Sequence, residues 1–180
     1  EILQAIEQAP YREVLLLPNN KNVVLAAKQA EGLTEKHLKV LETLTMPQGI
    51  AALIAFNPTT DLASNLKAMA EATGRIQTIE VTHAVRDTKG RGRKVKKGDV
   101  IALVNDALKE SGDDYAAVVR QALAGLHPND CELVTVYRGD TVSAEEAELL
   151  GSAIHASYPD LEVDLQAGGQ HHYPFILSVE

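Results

Sequence analysis

Hydrophobic positions along this chain switch repeatedly between the period of a strand and the period of a helix. Residues 14–17 form a short apolar run closed by Pro18, the pattern of a buried strand. Residues 22–30 place Val23, Ala26, Ala27 and Ala30 at helical spacing, and Gly32 supplies a stop. Residues 37–44 read as a second strand through Leu38 and Val40. "MPQGIAALIAFN" predicts a turn and then an apolar stretch whose type the pattern leaves open. Residues 62–72 align Leu62, Leu66, Met69 and Ala70 on one helical face, ended by Gly74. Residues 76–85 alternate Ile79, Val81 and His83 against Thr and Glu, a strand with one wet face. After a basic turn come a strand at 100–104, a helix at 115–126 and a strand at 133–137. Ser143 with Glu146 three residues on is a capping box, opening a helix with Ala147, Leu150, Ile154 and Tyr158 inward. Residues 161–165 alternate through Leu161, Val163 and Leu165, and "YPFILSV" closes the chain as a strand. The glycines of "QAGGQHHYP" predict a turn pairing these last two strands antiparallel.

Strand and helix alternate up to about residue 75, which favours parallel strands joined by crossover helices. The later part mixes strands with two helices. The expected fold is therefore α/β in two lobes: a strand–helix alternating lobe at 1–85, a basic hairpin arm at 86–97, and a mixed α+β lobe at 98–180. The expected core is aliphatic: Leu15, Leu17, Ile54, Leu66, Ile101, Val134, Val136, Ile154, Val163 and Ile176. Composition agrees, since the chain has no Trp and only 4% aromatic residues. Its one cysteine, Cys131, excludes an internal disulfide and a Cys-based zinc site, and reads as a structural thiol. No apolar run approaches the ~18 residues of a membrane span, and no secretory leader pattern opens the chain. The default is a cytoplasmic protein. A start at Glu1 without Met reads as a fragment of a longer protein or as a processed chain.

The junction "LLLPNNKN" poses a chemical question. A buried strand hands over to a helix through Asn19, Asn20, Lys21 and Asn22. In open α/β sheets, ligands gather beyond the carboxyl ends of strands. Asn19 and Asn20 tolerate left-handed backbone angles, Asn22 suits a helix N-cap, and Lys21 adds a movable positive charge. Together they read either as an anion or partner-contact surface or as turn chemistry with a solvated lysine. In "MPQGI", Met46 offers an adaptable apolar contact and Gly49 a close backbone approach, beside Gln48.

Charge sharpens one segment. Residues 86–97, "RDTKGRGRKVKK", hold seven basic residues and one acid in a chain whose net charge is -8. Gly90 and Gly92 mark a hairpin turn. The segment reads as a solvated tip, as an arm for an acidic partner or for phosphates, or as a nucleic-acid contact. The acidic balance of the chain and the lack of interleaved aromatics oppose the last. Arg86 and Asp87 pair either with each other or with a partner's charges. Arg91, Arg93 and Lys94 carry the arm's charge. His83 is the one histidine inside a strand-like alternation. His171 and His172 are neighbours on an extended segment, so their side chains diverge and do not share a metal.

"LLLPNNKNVVLAAKQA", "TMPQGIAALIAFNP", "THAVRDT" with "KKGD", and "GGQHHYPFILSVE" follow one another in order over almost the whole chain. This set resembles the C-terminal region of the dihydroxyacetone-kinase-like proteins that form the FakA-type component of fatty acid kinase. The resemblance implies the two-lobed fold shared by DegV proteins and dihydroxyacetone kinase substrate subunits. It implies a parent protein whose separate N-terminal domain binds ATP and magnesium through clustered aspartates, a cluster not seen here. No cofactor is expected in this chain, which would dock a fatty-acid-loaded DegV-type partner. The parent kinase would then phosphorylate the acyl carboxylate, giving an acyl phosphate for phospholipid synthesis. The partner contacts this implies are Asn19, Asn20, Lys21, Asn22, Met46, Gln48, Arg86, Asp87, Arg91, Arg93 and Lys94. Two alternatives stay open: a dihydroxyacetone (glycerone) kinase-like substrate domain holding a ketone on His83, and an anion or nucleic-acid binder using the basic hairpin.

Overall fold

The computed structural model describes residues 1–90 and 93–180, and the chain divides into two compact units, Glu1–Ile76 and Gln77–Glu180. The boundary precedes the expected one at residue 85, because the strand that opens the second unit is hydrogen-bonded into its sheet.

The first unit runs α1 (Ile2–Gln8), β1 (Glu13–Leu16), α2 (Lys21–Ala30), β2 (His37–Val40), α3 (Met46–Ala55) and α4 (Leu62–Arg75). β1 and β2 pair in parallel, as strand–helix alternation demands. α2 buries Val24, Ala27 and Ala30, spaced three apart, and Ala30 joins Ile6 and Leu38 in a small core. The ambiguous apolar stretch is helix α3, with Pro47 in its first turn, where a missing N–H costs nothing. Ile54, expected in the core, is 80% exposed on that helix. α3 instead buries Pro47, Gly49 and Ala52. α4 is capped by Asp61, whose carboxylate accepts from the Ser64 N–H at 2.9 Å. Gly74 does not end it; the helix runs on to Arg75. Buried Asn65 ties the preceding loop down, accepting from Asn57 N–H at 2.7 Å and donating to Asn57 O at 2.8 Å.

The second unit contains β3 (Gln77–His83), β4 (Thr88–Gly90), β5 (Arg93–Val95), β6 (Val100–Val104), β7 (Ala107–Gly112), α5 (Tyr115–Ala124), β8 (Leu133–Arg138), α6 (Ala144–Ser157), β9 (Glu162–Ala167) and β10 (Phe175–Val179). Six strands form one sheet in the order β7-β6-β3-β10-β8-β9. Within it, only β8 and β9 are parallel. α5 packs on β3, β6 and β7, and α6 on β8 and β9. The core between helices and sheet takes Ile79 and Val81, Val134 and Val136, Ile154, Phe175, Leu177 and Val179. Of the other expected core positions, Ile176 is buried, whereas Leu15, Leu17, Leu66, Ile101 and Val163 are half-buried. α6 opens with the expected capping box: Glu146 N–H donates to Ser143 Oγ at 3.2 Å and Ser143 N–H to Glu146 Oε2 at 2.8 Å.

The last two strands do not form the expected hairpin. β10, buried at all five positions, lies between β3 and β8, while β9 takes the edge beside β8. A strand with four apolar residues in five is most stable where both neighbours cover it; the acidic β9 tolerates an edge. The β8–α6–β9 crossover makes those two strands parallel neighbours. β7 does not stand out in the hydrophobic pattern at all. Its hairpin with β6 turns through Asn105 and Asp106, both at positive φ (48° and 68°), which Asn and Asp tolerate.

Candidate functional site

In the first unit, parallel pairing brings the loops after β1 and β2 side by side. The Asn19 N–H donates to Thr43 Oγ1 at 3.0 Å, and Thr43 is fully buried. Asn19 adopts a left-handed backbone, φ 53°. Its side chain lies directly over Gly49 in the first turn of α3: a Cβ there would come within 2.1 Å of Asn19 Oδ1. Gln48 folds back so that its Oε1 accepts from the Leu44 N–H at 2.8 Å. The two motifs "PNNKN" and "MPQG" are therefore one surface, built where helices α2 and α3 begin. Backbone N–H groups and the positive dipole ends of both helices face this region.

The polar residues divide their labour. Asn20, not Asn22, is the N-cap of α2; its Oδ1 accepts from the Asn22 N–H at 2.8 Å. The expected cap at Asn22 is corrected by two residues, because Lys21 already opens the helix. Asn19 and Gln48 hold loops, Met46 is half-buried, and Lys21 and Asn22 are exposed. Buried Thr43 and Thr45 belong to the same site, and the sequence marks them only by the alternation of Thr around Leu44 just before Pro47. Leu44 beside the turn, and Leu53, Ile54 and Phe56 along and after α3, expose apolar surface. This is the kind of rim a protein partner covers.

In the second unit, the basic segment is a hairpin, β4 paired antiparallel with β5. Its root is firm. Ala84 N–H donates to Asp99 O and Gly98 N–H to Ala84 O, both at 2.8 Å, and Val95 is buried. Asp87 accepts from the Lys97 N–H at 2.8 Å, so its carboxylate pins the hairpin's two arms together. Arg86, Lys94, Lys96 and Lys97 are exposed. Arg91 lies outside the described residues; of Arg93 only the backbone, in β5, is described.

His83 is exposed at the end of β3, with Nε2 3.2 Å from the Tyr115 hydroxyl. The two rings meet edge to face at 5.6 Å, and Tyr115 meets Phe175 likewise at 5.3 Å. Its partner is a phenol stacked on the core, where a ketone-binding role calls for an acid. Burial, then the charge of Glu146, pushes the Tyr115 hydroxyl up. His171 contacts the Asp140 carboxylate through Nδ1, and His172 is exposed beside it. Cys131 is half-buried, its thiol pushed up by burial and then by Asp130, the state of an unreactive structural cysteine. Among the described residues, no group of three His, Cys, Asp or Glu side chains could hold a metal, and no helix is long and apolar enough to cross a membrane.

A two-unit α/β chain of this topology has known counterparts. It matches a DegV family protein of Corynebacterium glutamicum with TM-score 0.63 and 15% identity, over 99% of this chain and 78% of that one. It matches the Streptococcus pneumoniae fatty acid kinase (Fak) B3 protein, solved loaded with linoleic acid, with TM-score 0.67 and 9% identity, over 99% and 74%. It matches the dihydroxyacetone kinase of C. freundii with TM-score 0.63 and 16% identity, over 99% and 40%. The fold class is thus the one shared by DegV proteins and dihydroxyacetone kinase. Within it, the chain belongs to the FakA-like C-terminal family of fatty acid kinase, whose model matches residues 1–180. Protein YloV of Bacillus subtilis (strain 168) is 33% identical over 180 residues, all of this chain and 32% of YloV. The chain spans about a third of the length of the curated relatives it matches.

Proposed function

We propose that this chain is the docking domain of a fatty acid kinase, binding a fatty-acid-loaded DegV-type protein in the cytoplasm. A separate ATP- and magnesium-binding domain of the parent protein then phosphorylates the acyl carboxylate, supplying acyl phosphate for phospholipid synthesis. The carrying observation is the family match over residues 1–180. Two surfaces support it. The first is the Asn19–Asn22 turn with Met46 and Gln48, flanked by exposed Leu44, Leu53 and Ile54. Lys21 and Asn22 are its exposed polar contacts; Asn19, Asn20 and Gln48 hold its shape. The second is the hairpin, where Arg86, Arg91, Arg93 and Lys94 steer an acidic partner and Asp87 keeps the arms aligned. Steering of this kind raises the association rate more than the affinity.

Surface-based kinetics with a DegV-type protein, empty and loaded, test the reading. Binding weakened by Leu53→Asp and Lys21→Ala at unchanged melting temperature is the expected result. Failure of the unmodified chain to bind either form overturns it.

A further inference from the structure

The six-stranded sheet ends at β9. Among the described residues, β9 pairs on one side only, with β8. The Glu162 N–H donates to Glu132 O and the Gly168 N–H to Arg138 O, both at 3.0 Å. These two amides are an even number of steps apart on one strand. The two-residue period therefore turns the N–H and C=O groups of Val163, Leu165 and Ala167 outward. No strand pairs with them among the described residues, and residues 164–167 are exposed.

A groove of about 720 Å³ runs between this edge and α6. Its floor is Gly151, Leu161, Val163 and Leu165, and its rim carries Glu148 and Asp160. Gly151 lets strand and helix approach: a Cβ there would stand 3.1 Å from Leu165 Cδ2. Ser152, next on the helix, leaves the groove mouth wide. The charge around it has one sign. Residues 139–180 contain eight Asp and Glu and no Lys or Arg. An open edge flanked by a pocket for every second side chain is the arrangement that captures an extended peptide by strand addition.

We propose that the β9 edge binds an extended segment of a partner protein that alternates apolar and basic residues. Its main chain pairs with Val163, Leu165 and Ala167. Its apolar side chains enter the groove beneath α6. Its basic side chains lie on the opposite face, against Glu162 and Asp164, which point away from Val163 and Leu165. A second copy of this chain fits worse. Two β9 edges paired antiparallel would gather Glu162 and Asp164 of both strands on one face of the joined sheet with no basic residue among them, and like charges crowded on one face repel. The proposal does not depend on the DegV docking reading, and its test uses no DegV protein.

The test is an NMR titration of the whole chain with a short synthetic peptide alternating valine with lysine and arginine. A control peptide carries glutamate at the basic positions. The expected result is amide shifts centred on 163, 165 and 167, with the basic peptide binding about tenfold more tightly than the acidic one. Ala167→Pro removes one outward N–H and leaves the β8 ladder intact, and it should weaken binding. Ser152→Trp fills the groove mouth from an exposed position and should do the same. Glu162→Lys with Asp164→Lys should reverse the peptide preference. Equal binding of the two peptides, shifts mapping elsewhere, or no shift at saturating peptide overturns the proposal. Concentration-dependent shifts of the same amides without peptide assign the edge to self-association and overturn it too.

Discussion

The polar turn of the first unit and the basic hairpin of the second are both rich in hydrophilic side chains, yet those side chains do opposite things. At the turn the fold uses several of them: the Asn19 side chain lies on Gly49 while its backbone N–H donates to Thr43, Asn20 caps α2, and Gln48 ties Leu44. At the hairpin the fold uses backbone hydrogen bonds, the carboxylates of Asp87 and Asp99 and the buried Val95, and leaves Arg86, Lys94, Lys96 and Lys97 in water. A run of polar residues therefore does not announce its role. A short polar side chain at a strand–helix junction replaces backbone partners that the chain reversal removes. A long cation on a hairpin gains little by holding still.

Breaking the turn should have the largest effect. Gly49→Val drives a side chain into Asn19 and should cost about 1–3 kcal/mol of stability, read as a lower melting temperature. Adding Asn19→Gly, which suits the left-handed backbone and removes the obstructing side chain, should recover most of that loss. If the double variant melts no higher than Gly49→Val alone, the Asn19–Gly49 contact is not what sets the cost.

Asn20→Ala comes next. It removes the cap of α2 and should cost about 0.5–2 kcal/mol in denaturant titration. Asn22→Ala should leave stability nearly unchanged, because only the Asn22 backbone N–H serves the cap. The reverse order would put the cap at Asn22 after all.

Acid and base sharpen the contrast between units. Hydrogen bonds from Ser64 hold the Asp61 carboxyl below its ordinary range. Its contribution is present above the unfolded value and lost as pH falls through the folded one. Asp61→Asn keeps a cap but cannot titrate, so the acid-side loss of stability should shrink. Glu80 has the opposite sign. Burial, then the charge of Asp106, raises its carboxyl, so the folded state binds a proton more readily than the unfolded one. That contribution is present below the unfolded value and is lost as pH rises through the folded value. Glu80→Gln should therefore raise the melting temperature at neutral pH relative to the parent, with the gap closing below the carboxylate range.

The hairpin should show the smallest stability effect. Reversing Arg91, Arg93 and Lys94 to Glu should leave the melting temperature almost unmoved. Each exposed pair lost is worth about 0.2–1 kcal/mol, so affinity for a DegV-type partner should fall modestly, and association should slow mainly at low salt. Wild-type association rates at low salt would reduce the arm to a solvated tip.

The linear pattern by itself determined most elements of the mixed α/β chain, the capping box at Ser143 and Glu146, and the parallel pairing of the first two strands. These depend on local periodicity and on short connections, which sequence carries directly. The motif resemblance also pointed to the family. Only the tertiary structure decided the rest. Whether residues 50–56 were helix or strand turned on which side had a partner to bury, so Ile54 went to water. β7, "ALKESG", lacks an apolar alternation and exists because β6 offers it an edge and Asn105–Asp106 a turn. The placement of β10 in the middle and β9 at the rim rests on competition between strands for covered positions, a comparison no single segment contains. The candidate site divides in the same way. Asn19–Asn22 and Met46–Gly49 stand out as two stretches, but their union requires β1 beside β2. Thr43 becomes the link only when parallel pairing sets it beneath Asn19, where its hydroxyl replaces a hydrogen bond that neither loop can make alone.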